Sequence, residues 1–375
     1  MLKIAHISSV VDGRSNSGTA RVAREIISEI SLSNKAHQYL IHFDPSDDPI
    51  YSLPNVTEIL IRTSGKGYGL RFRAFVKFWI TWRLGKQSFK FDIVHWHSSR
   101  VYPLFFVIPS RATIVTLYDA GQRMLRGVNT FSTQVFYWNL RASQCFVDWI
   151  LASTSMAARD LAKIAKFSRK KIGYLHHGTR FGEILATPII DLQLPEVFYV
   201  CVSRWQPHKN VSQLIKAVKI LNDRGQIICP IVLVGKPVGD FTEPLDLIKS
   251  YGLSDHFIIV SDLTDSQIAY LFDHAALNIF PSLHEGFGLS VLEGMSRGCA
   301  PVVHFDTATS EVARGLGHHI DMSNAEEIAT LLQKNPVKDS EISANLIRYA
   351  ANHYNWTKIC EELISIYEKA IKASR

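Results

Sequence analysis

No stretch of the 375-residue chain approaches the ~20 uninterrupted apolar residues of a membrane-spanning helix, which argues against an integral membrane protein. Cysteine is scarce. Cys145, Cys201, Cys229, Cys299 and Cys360 are odd in number and form no Cys-x-x-Cys pair, so neither a zinc knuckle nor a disulfide framework fits. Buried reduced thiols are the reading for most of them. The stretch Asp12-Gly13-Arg14-Ser15-Asn16-Ser17-Gly18 after the first strand candidate lacks Gly-x-Gly-x-x-Gly, which sets aside an NAD-dependent dehydrogenase. No helix-turn-helix, zinc-finger or RNP motif is present, so nucleic acid is not an expected partner. Short-period repeats and low-complexity linkers are missing too. The opening Met1–Ile7 has neither the apolar core nor the small-residue cleavage site of a secretory signal and reads as a strand, so a cytoplasmic protein is expected.

Acid is missing from one region in particular. Between Glu58 and Asp92 stand eight basic residues, Arg62, Lys66, Arg71, Arg73, Lys77, Arg83, Lys86 and Lys90, with no Asp or Glu. Residues 1–185 hold 25 Lys and Arg against 12 Asp and Glu, or +13, whereas residues 186–375 hold 16 against 22, or −6. Such a division implies different partners for the two halves. Within the basic stretch Phe72, Phe75, Val76, Trp79 and Ile80 fall on one helical stripe, with Phe78 and Trp82 beside it. One reading is a core-facing helix with a solvated basic face. The other is a helix on an anionic bilayer, its aromatics at headgroup level and its cations (Arg71, Arg73, Lys77) toward lipid phosphate.

With 47% apolar and 20% charged residues the chain is globular, and its length predicts two domains. Short apolar runs alternate with helical patterns, the signature of parallel sheets with crossover helices. Strand candidates are 2–7, 38–43, 56–61, 92–97, 112–117 and 149–153 in the first half, and 198–202, 230–234, 257–261, 276–279 and 300–304 in the second. Periodicity fades over 170–195, which predicts domains at 1–185 and 186–355. The tail 356–375 reads as an amphipathic helix with Ile359, Cys360, Leu363, Ile364, Tyr367 and Ile371 on one side; spacing does not say what it packs against. Ligands of open α/β sheets lie beyond the carboxyl ends of the strands, so chemistry is sought in post-strand loops.

Two such loops stand out. Pro281-Ser282-Leu283-His284-Glu285-Gly286-Phe287-Gly288-Leu289 runs from a strand into a helix that carries Glu293 in its first turns. Its glycines let backbone N–H groups approach a ligand, and the helix aims its positive end at a phosphate. Glu285 and Glu293 each suit a vicinal diol of a ribose or hexose. The bland reading is an ordinary helix start. Ser203-Arg204-Trp205-Gln206-Pro207-His208-Lys209-Asn210 follows the first strand of the second half; Arg204 and Lys209 there suit a diphosphate, or are two solvated bases. Asn210 is suited to cap the helix starting at Val211.

Together these segments resemble the retaining glycosyltransferases of family 4, across essentially the whole chain. The family's Glu-x7-Glu motif matches Glu285 to Glu293, its Ser-Arg-x4-Lys-Asn segment matches Ser203, Arg204, Lys209 and Asn210, and its Val-Gly strand end matches Val234-Gly235. In the first half Ser17-Gly18-Thr19 and Asp92-Ile93-Val94-His95-Trp96-His97 resemble its Gly-rich loop and His-x-His strand end. The resemblance implies an α/β GT-B fold, two facing Rossmann-like domains with an interdomain cleft, and a nucleotide-diphosphate sugar as donor. Arg204, Lys209 and the Gly18 amide would hold the diphosphate, Glu293 the ribose, Glu285 the donor sugar, and Gly286, Phe287, Gly288 and Leu289 the sugar and phosphate. Transfer with retention would then follow without a protein nucleophile.

The family often has His-Asp where this chain has Tyr118-Asp119; a tyrosine hydroxyl makes a similar hydrogen bond, or Tyr118 packs in the wall and His95 or His97 contacts the sugar. No cofactor is implied. Asp-x-Asp, which holds Mn²⁺ or Mg²⁺ in glycosyltransferases of the other main fold, is absent, and His95 with His97 lack a third metal ligand. The expected function is transfer of a sugar to a lipid-linked glycan in polysaccharide or O-antigen-type synthesis. An inactive nucleotide-sugar-binding partner subunit is the alternative. Trp79 with the basic residues beside it would meet the acceptor or the inner membrane surface, making the protein peripheral.

Overall fold

In a computed structural model the described residues are 1–7, 18–42, 51–61, 73, 76–77, 80, 91–97, 108–119, 134, 141, 145–164, 168, 171–190, 192–334 and 336–374. The chain forms two units. The first comprises 1–177 and 356–375, the second 178–355, so the boundary expected at 186 falls at Gly178.

The first unit is a parallel sheet of seven strands: β1 (Leu2–Ile7), β2 (Ala36–His42), β3 (Val56–Leu60), β4 (Phe91–Trp96), β5 (Ser110–Thr116), β6 (Trp149–Ala152) and β7 (Ile172–Tyr174). Their order is β3-β2-β1-β4-β5-β6-β7. Sequence patterning finds six of them; β7 lies where the periodicity fades. Ala5, Ile7, Val94, Trp96, Val115 and Ile150 fill the core, near-continuous apolar runs as a sheet covered on both faces requires. Two helices are described between strands, α1 (Gly18–Leu32) and α2 (Ser155–Ile164). Of the expected basic helix, Arg71 and Trp79 lie outside the described residues. Arg73, Val76, Lys77 and Ile80 are helical, and Ile80, on the expected apolar stripe, is 44% exposed.

The second unit is a six-stranded parallel sheet ordered β10-β9-β8-β11-β12-β13. Its strands are β8 (Tyr199–Val202), β9 (Ile231–Val234), β10 (Phe257–Val260), β11 (Leu277–Phe280), β12 (Ala300–His304) and β13 (His318–Ile320). The helices are α3 (Val211–Asp223), α4 (Glu243–Ser250), α5 (Asp265–His274), α6 (Leu289–Ser296), α7 (Ala308–Ala313), α8 (Ala325–Gln333) and α9 (Ser340–His353). Thr264 starts α5 with a capping box, its hydroxyl accepting from the N–H of Gln267. The two ends of the unit meet, the Thr179 N–H donating to the Tyr354 carbonyl at 2.9 Å.

The tail helix, α10 (Trp356–Ala373), returns to the first unit and packs on α1, β4 and β5. Its apolar face is the one the spacing predicts, with Ile359, Cys360, Leu363, Ile364, Tyr367 and Ile371 buried. Thr357 Oγ1 donates to the Glu29 carboxylate at 2.6 Å, fixing the helix along α1. No helix among the described residues is long and apolar enough to cross a membrane.

Candidate functional site

In the second unit the two loops singled out by sequence are joined. After β8 the chain passes through a 3₁₀ turn at Pro207–Lys209 and reaches Asn210 with φ 57°, left-handed geometry that asparagine tolerates. That backbone is not the extended one of a helix cap, and Asn210 makes no side-chain cap to α3, which corrects the sequence expectation. Its Nδ2 instead donates to the carbonyls of Pro281 (3.2 Å) and Met322 (2.7 Å), tying the loop after β8 to the loop after β11. The Leu283 N–H and the Ser282 hydroxyl both donate to the His208 carbonyl at 3.2 Å. Lys209 Nζ lies 2.5 Å from Glu285 Oε1, with only 18% and 14% of the two side chains exposed. The same ammonium sits 5.6 Å from the centre of the Phe280 ring, a cation–π distance.

The turn into α6 depends on two small residues. Gly288 has φ 96°, and a Cβ there would lie 2.6 Å from Thr309 Cγ2. Gly294 passes so close to Asn278 that a Cβ would lie 2.6 Å from its Nδ2, which donates to the Ser290 carbonyl and braces the first turn. Phe287 is buried edge-on against the Tyr354 ring. Gly286 is buried, Leu289 and Glu293 are half-buried, and Arg204 is exposed. Among the described residues no carboxylate pairs with Arg204. The amides that open α6 and the helix dipole make this end attractive to an anion. The loops thus offer one exposed guanidinium, one ammonium anchored to a carboxylate, and a second carboxylate on α6. Asn278 and Thr309, which shape this turn, carry no signal in the sequence.

In the first unit Gly18 opens α1 and is exposed. Tyr118, after β5, donates its hydroxyl to the Thr19 carbonyl at 3.3 Å. Its ring lies 5.7 Å from that of His177, which bonds through Nε2 to Ser153 Oγ at 2.9 Å. Burial raises the Tyr118 phenol above its ordinary range and holds His177 down to about 3, so both groups are neutral hydrogen-bonding partners. Asp119, next in the chain, is exposed. His95 and His97 are fully buried, so neither offers the accessible sugar contact considered from sequence. They do gain the third histidine that sequence spacing lacks: β1 pairs with β4, and the register sets His6 opposite His95.

Residues 188–353 match the model of the family described as glycosyl transferases group 1, a match that lies within the second unit. The chain is 27% identical over 257 residues to the serotype-specific mannosyltransferase WbdA of Escherichia coli, a match covering 64% of this chain and 31% of that protein. It therefore spans about a third of the length of the first curated relatives it matches. Its fold is similar to that of Anabaena Alr3699/HepE, solved with UDP and glucose (TM-score 0.75, 14% identity, 98% of this chain and 100% of that one). It is also similar to WaaG, a glycosyltransferase involved in lipopolysaccharide biosynthesis (TM-score 0.67, 14% identity, 97% and 99%). Two parallel-sheet α/β units of this kind are the GT-B architecture.

Proposed function

We propose that the chain is a retaining glycosyltransferase that moves a sugar from a nucleotide-diphosphate donor to a lipid-linked glycan. The observation that supports the reading is the joining of the two post-strand loops, which pairs Lys209 with Glu285 in the loop that leads into α6, while Arg204 stands exposed in the other loop. A departing nucleotide diphosphate gains negative charge as its bond to the anomeric carbon breaks. Cations and N–H dipoles held in place stabilise that charge without reorganising. Arg204 is available for bidentate contact with phosphate. Lys209 has three N–H donors, of which Glu285 takes one. Glu293 accepts from the ribose hydroxyls and Glu285 from those of the sugar.

Retention without a protein nucleophile has attack and departure on one face of the sugar, a donor phosphate oxygen taking the acceptor's proton. Tyr118, Asp119 and Gly18 are the residues of the first unit that the family resemblance assigns to the donor. No divalent ion is needed at the diphosphate, because the two cations neutralise it. The similarity to WbdA, a serotype-specific mannosyltransferase, and to WaaG, involved in lipopolysaccharide biosynthesis, supports a bacterial surface polysaccharide as the product. The basic excess around Arg73 and Lys77 supports an acceptor presented at an anionic membrane surface, with the protein cytoplasmic and peripheral.

The test is nucleotide release by the purified chain against a panel of nucleotide sugars. One donor class should be turned over, at a rate unchanged by added Mg²⁺ or Mn²⁺. Glu293→Gln and Arg204→Ala should each lower that rate by ~100-fold or more, the scale of losing one oriented charge-stabilising group. Binding without release would favour the non-catalytic partner subunit, and near wild-type rates in both variants would remove the donor-site assignment.

A further inference from the structure

We propose that His6, His95 and His97 form a binding site for a zinc-class transition-metal ion in the core of the first unit. The β1–β4 register places His6 against His95, and His97 lies two residues on. One ring nitrogen from each histidine lies within 4.8 Å of those of the other two. His6 Nδ1 and His97 Nε2 are 2.8 Å apart. Ligand nitrogens of a tetrahedral zinc stand ~3.3 Å apart, so the rings would spread at the 2.8 Å contact and close where the separation is wider to surround one ion.

The hydrogen bonds around the triad are those that orient metal-ligating imidazoles. Gln38 Nε2 donates to the Ile27 carbonyl at 2.8 Å, which turns Gln38 Oε1 toward His6 Nε2 at 2.9 Å. An amide oxygen only accepts, so His6 carries its proton on Nε2 and presents a bare lone pair at Nδ1. His95 sits between the hydroxyls of Thr116 (2.7 Å) and Tyr367 (2.6 Å); one orients the ring while the other nitrogen turns to the ion. All three rings are fully buried, and with His6 Nδ1 bare the proton of the 2.8 Å contact rests on His97 Nε2 and is released when an ion binds there. Imidazole donors without carboxylates select Zn²⁺ and its neighbours over Mg²⁺ and Ca²⁺, which take oxygen ligands.

The experiment loads the full chain with Zn²⁺, dialyses it, and measures bound zinc by mass spectrometry together with Tm. About one zinc per chain is expected, with a rise in Tm of several degrees that Mg²⁺ does not reproduce. His97→Asn and His6→Gln, shown to be folded by circular dichroism, should lose both effects. Fewer than ~0.1 zinc per wild-type chain would leave the triad a hydrogen-bonded core cluster and overturn the proposal. Equal zinc in the variants would overturn it as well, moving the ion to exposed histidines such as His274 and His353. X-ray absorption on the zinc-loaded wild type decides the matter even if the variants misfold: imidazole scattering supports the site, and sulfur or oxygen-only coordination excludes it.

Discussion

The pair Lys209–Glu285 invites a double-mutant cycle with two readouts. At 2.5 Å the gross attraction is large, but most of it offsets the desolvation of the two ions. With 18% and 14% of the side chains exposed, the pair stands between a surface ion pair worth ~0–1 kcal/mol and a fully buried one whose breakage costs ~3–5 kcal/mol. A coupling of about 1–2 kcal/mol is expected, measured by urea unfolding of Lys209→Ala, Glu285→Ala and the double variant. Lys209→Ala should destabilise more than the double change, because it leaves a half-buried carboxylate unpaired. The second readout is turnover. If Lys209 also stabilises the leaving diphosphate, Lys209→Ala loses ~100-fold or more in kcat, and Glu285→Ala does not restore it. A coupling below ~0.3 kcal/mol would mean that the pair does not hold the loops together. Restoration of turnover in the double variant would mean that Lys209 acts only by neutralising Glu285.

Gly288→Ala should cost about 2–3 kcal/mol in urea unfolding, from the left-handed backbone and from a Cβ driven into the fully buried Thr309. Adding Thr309→Ser should recover part of it, and a loss below ~0.5 kcal/mol would refute the packing. The first unit should weaken in acid: His6 is held down to about 4 against 6.5 unfolded, so below pH 6.5 only the unfolded chain takes up the proton. Stability from this group is complete above pH 6.5 and declines as pH falls toward 4, by about 2 kcal/mol at pH 5. Urea unfolding in EDTA checks this, and an equal decline in His6→Gln would assign the loss to other groups. The chain should sediment with anionic vesicles at low salt and not with neutral ones, since each surface cation adds ~1 kcal/mol. Arg71, Arg73 and Lys77 changed together to Glu should release it, and sedimentation like the wild type would make that helix structural.

Much of the architecture is legible in the chain because parallel strands buried on both faces read as short apolar runs, and those runs mark eleven of the thirteen strands. The short edge strands β7 and β13 escape, having three residues each and little apolar contrast. Gly288 is legible because it answers a local backbone demand, whereas Asn210, expected as a cap, takes left-handed geometry instead. What Asn210 bonds to is set by loops 71 and 112 residues away and cannot be read from spacing. The same holds for His6, which joins His95 and His97 only because β1 lies beside β4 in the sheet order. The apolar face of α10 is written in its period, while its partner surface exists only once the first sheet is assembled.

The return of α10 has a consequence for the timing of folding. Residues 178–355 are contiguous, and their two ends meet at Thr179 and Tyr354, so this segment can close on itself as soon as it leaves the ribosome. The first unit cannot. Its sheet is synthesised first but waits through the whole intervening segment for the helix that covers α1, β4 and β5. The His95–Tyr367 hydrogen bond closes a separation of 272 residues. In the interval the surfaces destined for Leu363, Ile364 and Tyr367 stay wet, the condition under which a nascent chain aggregates or recruits a chaperone. A ribosome that stalls before residue 356 would therefore release a finished second unit attached to an unfinished first one.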